Sequence, residues 1–172
     1  MLHQRSEQAG PARGAVFLHA CPPALCPHVE WAISGVLGIP ISLTWAVQPV
    51  DPGQFRTDYT WSGSRGSGAR IASALRAWSM LRFEVTEEPT PGCDGERICH
   101  VPGRGTFRGI VGANGDFLVG EQQLRHLLAT ATSREDIAHG VQTLLGAAWD
   151  ADLEHYRHAG DGSPGTWLHQ VS

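Results

Sequence analysis

Ile41-Ser42-Leu43-Thr44-Trp45-Ala46-Val47 and Phe55-Arg56-Thr57-Asp58-Tyr59-Thr60-Trp61 are two runs of side chains that alternate with a period of two. Ile41, Leu43, Trp45 and Val47 share one face of the first run, and Phe55, Thr57, Tyr59 and Trp61 one face of the second. Alternation of this kind marks half-buried strands, and Pro49-Val50-Asp51-Pro52-Gly53 between them supplies a turn, so the segment predicts an antiparallel hairpin.

Toward the N-terminus, Gly14 to Ala20 reads as a short apolar strand, broken by Cys21-Pro22-Pro23. Val29, Ala32, Ile33, Val36 and Leu37 then recur at helical spacing. Cys26 is placed at the N-cap and Pro27 at the first helical position, where a missing N–H costs nothing, and Gly38 and Pro40 end the helix. Toward the C-terminus, Ile71, Ala72, Leu75 and Trp78 mark a second helix. A strand follows in which Leu81, Phe83 and Val85 alternate with Arg82, Glu84 and Thr86. The order βαββαβ over residues 14–89 predicts an α+β fold of the ferredoxin-like type, a four-stranded antiparallel sheet with both helices on one face. Its other face would carry Ser42, Thr44, Gln48, Arg56, Asp58, Thr60, Arg82 and Glu84, and so meet solvent or a polar partner.

Composition shifts to Pro, Gly and Cys over residues 90–105, which read as a linker or an irregular hairpin. Residues 106–172 form a smaller unit packed on the first. Thr106 to Val111 and Phe117 to Val119 flank Asn114-Gly115, the dipeptide suited to a tight hairpin turn. Helices follow at Leu124, Leu127, Leu128 and Ala131, at Ile137 to Ala148 behind a capping Ser133 and Asp136, and at Ala151 to His158. Residues 1–13 are polar, have no apolar core of a leader, and are expected to be a disordered tail.

The chain has 172 residues, 41% hydrophobic and 17% charged, enough apolar content to bury a core. Thirteen basic against 17 acidic side chains give −4, so no large basic surface for nucleic acid or anionic lipid is expected. All the basic residues are Arg. That excludes a Schiff-base lysine, a P-loop lysine and a Ser-Lys dyad. No apolar run approaches the roughly 20 residues needed to cross a bilayer. A cytoplasmic location follows as the expectation, with the four cysteines reduced.

Candidate chemistry falls at four places. A thiol at the start of a helix faces unpaired N–H groups that favour thiolate, so Cys26, with His28 or His19 as base and Glu30 nearby, is a nucleophile candidate beside a plain capping role. Cys21, Cys26 and His28 can also be read as metal ligands, with Cys93, Cys99 or His100 completing the set. Their spacing departs from that of zinc knuckles. His155, His158 and Asp161 form a second such group. Ser64, Arg65, Gly66, Ser67, Gly68 and Arg70 gather free N–H groups, hydroxyls and guanidiniums at a helix start, where a phosphate, a CoA moiety or an acidic loop would fit. Of the six tryptophans, Trp31, Trp45, Trp61, Trp78 and Trp149 are assigned to the core and Trp167 is not. The charged open face argues against RNA stacking.

Several stretches resemble the actinobacterial domain-of-unknown-function family numbered 3145: Ala24 to Ala32, Ile71 to Trp78 running into Leu81 to Thr86, the Gly115-Asp116 turn, and Trp167 to Val171. The resemblance implies no assigned activity and no catalytic residues. It does imply a link to fatty-acid or acyl-CoA metabolism, through genes neighbouring type II fatty-acid synthase and acyl-CoA carboxylase genes. The leading expectation is a non-enzymatic accessory or regulatory protein without a cofactor. It would contact a protein partner, such as a carboxylase or fatty-acid synthase component, through the polar sheet face and the Gly63 to Arg70 turn. The alternative is a thiol- or zinc-dependent enzyme centred on Cys26 and His28.

Overall fold

A computed structural model describes residues 10–159. Strand β1 (Pro11–Cys21) leads through one 3-10 turn (Pro23–Leu25) into α1 (Cys26–Leu37), then β2 (Ala46–Val47), β3 (Phe55–Ser64), α2 (Ser67–Leu75) and β4 (Arg82–Glu87). β5 (Gly95–Val101), β6 (Gly105–Val111), β7 (Phe117–Leu118), α3 (Glu121–Thr130), α4 (Arg134–Leu144) and α5 (Ala147–Arg157) complete it. The seven strands form one sheet in the order β2-β3-β1-β4-β5-β6-β7, antiparallel at every pairing. The described residues make a mixed α/β fold of seven strands and five α-helices, and no helix among them is long and apolar enough to cross a membrane.

Three elements differ from the sequence expectation. The strand expected over Ile41 to Val47 shrinks to Ala46–Val47 because α1 takes its backbone donors. The Ile41 N–H donates to Ser34 Oγ at 2.9 Å, and Glu30 Oε1 accepts from the Leu43 N–H at 3.0 Å and the Trp45 indole at 2.9 Å. A donor bonded to a helix side chain is not available to β3. Residues 90–105, expected as a linker or an irregular hairpin, hold β5, which continues the sheet, between two tight turns, Thr90 to Cys93 and Val101 to Arg104, the second joining β5 to β6 as a hairpin. Period-two reading missed β5 because Arg97 and Cys99 alternate with Ile98 and His100 and all four are buried. Residues 11–13, expected in the tail, begin β1; residues 1–9 of that expectation lie outside the described part.

One face of the sheet packs on α1 and α2. Val16, Leu18, Trp61, Phe83 and Val85 meet Val29 and Ile33 of α1 and Ile71 and Leu75 of α2, all at 1% exposure or less. Each such side chain contributes roughly 1.5–3 kcal/mol on burial. The other face is covered in part: α5 lies over it, with Leu153 fully buried beside Cys99, Val101 and Trp149, and Gln48 and Glu84 are buried, while Ser42, Thr44, Asp58 and Thr60 stand exposed as expected. Helices therefore pack on both faces, two on one and α5 on part of the other. Trp31 breaks the core assignment of its residue type, standing 77% exposed on the outside of α1.

Candidate functional site

At the β1–α1 corner the helix starts one residue earlier than expected, with Leu25 as N-cap, Cys26 as the first helical residue and Pro27 as the second. The Cys26 thiol turns into the core, 3.9 Å from the Cys21 sulfur. Burial pushes both thiols above their ordinary value, and the Glu30 charge adds to this at Cys26. His28 is exposed, its ring tilted against Trp78 with centroids 6.2 Å apart. Glu30 holds Leu43 and Trp45. The structure thus brings Cys21 to Cys26 and directs His28 and Glu30 elsewhere.

The metal readings fare alike. His100 Nδ1 donates to the Leu81 carbonyl oxygen (2.8 Å) and the ring stacks on Phe83, while Cys99 sits under α5 and Cys93 in the 90–93 turn. His155 lies edge-on to Tyr156 and His158 bonds Glu154; Asp161 lies outside the described residues. Among the described residues no three His, Cys, Asp or Glu side chains are placed to hold a metal ion.

At the start of α2, Gly66 takes φ +83°, a conformation open to glycine, and the N–H groups of Gly66 and Gly68 converge. They already hold an anion. Glu87 of β4 accepts both, Oε1 from Gly66 at 2.8 Å and Oε2 from Gly68 at 2.9 Å. Arg70 donates to Ser64 Oγ (2.7 Å) and Ser67 Oγ (2.9 Å), and Arg65 stands exposed. An external anion has to displace Glu87 from this loop. Glu87→Ala is expected to cost about 1–3 kcal/mol in urea denaturation, since two donors lose a charged partner. Sulfate should then raise the midpoint of the variant more than that of the parent. Equal sulfate effects would show that the loop has no vacancy to fill.

The densest group of charges was not expected at all. Glu84 of β4, on the face read as solvated, is 1% exposed. Its Oε1 accepts from Arg97 Nη2 and Arg157 Nη2, each at 2.6 Å, and its Oε2 from His19 Nε2 at 2.7 Å and Arg157 Nε at 2.9 Å. Asp150 Oδ1 accepts from the same two guanidiniums at 2.6 and 2.9 Å. Four elements meet here: β1, β4, β5 and α5. Two carboxylates offset two guanidiniums, so the group is neutral before His19 is counted. Burial alone would raise the Glu84 carboxyl; the hydrogen bonds of His19 and Arg157 and the charges of His19 and Arg97 outweigh it and hold it well below the usual range. The signal in the sequence was indirect: apolar stripes on C-terminal helices, expected to pack on the N-terminal unit.

The chemistry is that of a clasp. Each Glu84 oxygen is saturated by donors, and the Cys99 sulfur 3.5 Å from Oε1 is pushed up by burial and by the Glu84 charge. A cleft of about 540 Å³ near the ends of β4 and β5 is lined by Glu87, Glu88, Glu96, Arg97, Asp116 and Phe117 among others. Its carboxylates are likewise engaged: Glu88 by Arg13, Glu96 by Arg108, Asp116 by Asn114.

One surface left unclaimed among the described residues is the α3–α4 hairpin. Neither helix buries a single residue, and Leu128 (65%), Leu124 (39%) and Ile137 (38%) are exposed. The helices press together where Gly140 meets Leu127; a Cβ at Gly140 would stand 2.1 Å from Leu127 Cδ1. Ser133 caps α4 as expected, accepting from the Asp136 N–H at 3.0 Å.

No curated protein and no solved structure matches the chain. A family model does, over residues 15–170, nearly all of the chain. By that match the chain belongs to the family described as protein of unknown function (DUF3145).

Proposed function

We propose that this chain is a cytoplasmic, non-catalytic accessory protein whose α3–α4 hairpin receives an amphipathic helix of a partner protein. The observation that carries the reading is that none of the 21 helical residues, ten in α3 and 11 in α4, is fully buried, and only Leu127, Gly140, Val141 and Leu144 are partly covered. Helices are retained in proteins mainly by packing an apolar face. Leu124 and Leu128 are one turn apart on α3, and Ile137 lies on the neighbouring helix, the arrangement that accepts a third helix by apolar contact. Two of the flanking charges are satisfied locally: Arg125 pairs with Glu121, and Asp136 accepts from Thr132. A neutral seam suits an apolar helix face rather than a charged loop.

The strand order β2-β3-β1-β4, with α1 and α2 in the two connections, supports grouping the N-terminal half with ferredoxin-like folds. That scaffold hosts many functions, so the hairpin rather than the sheet carries the functional reading. Carboxylase and fatty-acid synthase components are the first partners to try.

Leu124→Glu with Leu128→Glu tests this. Both positions are exposed, so stability should move by less than about 0.5 kcal/mol at each. Binding to a purified, identified partner should fall at least tenfold. Unchanged affinity for that partner would sink the hairpin assignment. Loss of a dimer rather than of a heterologous complex, read by light scattering, would replace the partner with a second copy of the chain.

A further inference from the structure

Two thiols meet where β1 hands over to α1. The Cys26 sulfur lies 3.9 Å from that of Cys21, and both face the Pro22 carbonyl oxygen, at 3.8 and 3.5 Å. The chain folds back here in five positions, through a register shift in β1 between Leu18 and Cys21 and the single 3-10 turn Pro23–Leu25. Cys21 has no exposed surface and Cys26 is 9% exposed. Neither the clasp around Glu84 nor the hairpin uses the pair.

We propose that Cys21 and Cys26 are a reversible dithiol–disulfide site, oxidised by exchange with a small disulfide. The sulfurs must close to about 2.05 Å, an approach of less than 2 Å that side-chain rotation and a small backbone shift supply. Exchange begins at Cys26, the thiol with exposed surface. Its thiolate, having lost a proton to solvent, attacks one sulfur of the oxidant RSSR, forming the protein–SR mixed disulfide and expelling RS⁻. The Cys21 thiolate then attacks the Cys26 sulfur and expels the second RS⁻. Protein dithiol and RSSR become protein disulfide and two RSH; the protein is oxidised by two electrons and RSSR is reduced by two. Burial keeps both thiols protonated near neutrality, which makes the exchange slow and restricts it to sustained oxidising conditions. Cys99 does not compete, since it packs on the opposite face of the sheet under α5. Cys93 is partly exposed in the turn after β4.

The test is full-length protein held with excess hydroxyethyl disulfide, then alkylated without reduction and read by intact mass and peptide mapping. The expected product has lost two hydrogens, with the cross-link mapped to Cys21 and Cys26 and reversed by dithiothreitol. Cys93→Ser should behave as the parent, whereas Cys21→Ser should stop at the Cys26 mixed disulfide. Recovery of Cys21 and Cys26 as free thiols, arrest of the parent at the mixed disulfide, or a cross-link mapped to another pair would each overturn the proposal. The parent result decides even where Cys21→Ser fails to fold.

Discussion

Glu84→Gln is expected to lower stability by about 3–5 kcal/mol, the cost of removing one partner from a buried ionic group. In a chain of this size that is a fall in melting temperature of about 6–20 °C. The reason is what remains behind. Arg97 and Arg157 have side chains 9% exposed, and without Glu84 they share Asp150, itself 38% exposed, with one longer contact from Arg157 to Glu154 at 3.4 Å. The amide that replaces the carboxylate can still accept hydrogen bonds, but it supplies no charge against two guanidiniums. Glu84→Leu combined with Arg97→Met and Arg157→Met should recover most of the loss, because a well-packed apolar set avoids the desolvation that the ions suffer. A Glu84→Gln variant within about 1 kcal/mol of the parent would mean that water reaches the group despite α5.

The pH dependence has a definite sign. A carboxyl held below its ordinary value contributes stability that is fully present above the unfolded value, about 4.3. That contribution fades as pH falls through the depressed folded value. The gap between parent and Glu84→Gln should therefore narrow below about pH 4. A gap that opened below about pH 4 would assign the effect to some other group.

The helices and strands that pack against one another through Val16, Leu18, Ile71, Leu75, Phe83 and Val85 were legible because each obeys its own period and each buries its apolar side. What failed to read were the places where a side chain answers a partner far away in sequence. Ile41 and Leu43 alternate as a strand does, yet Ser34 and Glu30 capture their backbone donors. Glu84 alternates as a solvent-facing residue does, yet Arg157, 73 positions later, closes over it. The donors at the start of α2, which read as a site for an external anion, are held by Glu87 of the chain itself. Local pattern carries propensity and periodicity; it does not carry which distant charge will arrive. The same limit explains Trp31, whose residue type argues for burial while its position on the outer side of α1 leaves it in solvent.

Gly14→Ala is expected to destabilise by about 3 kcal/mol or more, at or beyond the upper end of ordinary overpacking. Backbone propensity predicts the opposite, since glycine inside a strand is about 0.5–1 kcal/mol worse than alanine. Contact decides between them. β1 runs between β3 and β4, with Gly14 opposite Trp61 on one side and Glu87 on the other. A Cβ at Gly14 would stand 1.8 Å from the Thr86 carbonyl oxygen and 2.7 Å from Trp61 Cζ2. The oxygen belongs to the backbone of β4 and yields only if the strands part. The indole has nowhere to retreat: Trp61 is 1% exposed, its Nε1 has no hydrogen-bond partner, and Gly68 of α2 closes on Cζ2 from another side, 3.3 Å from a Cβ there. Trp61→Phe should therefore not rescue Gly14→Ala, because the clash with Thr86 survives it. Gly68→Ala, whose nearest neighbours are the Glu87 side chain at 3.1 Å and that same indole, should cost less and be eased by Trp61→Phe. Urea denaturation of the four variants separates a strand–strand clash from an indole clash, and a Gly14→Ala protein as stable as the parent would show that β1 and β4 stand further apart than described.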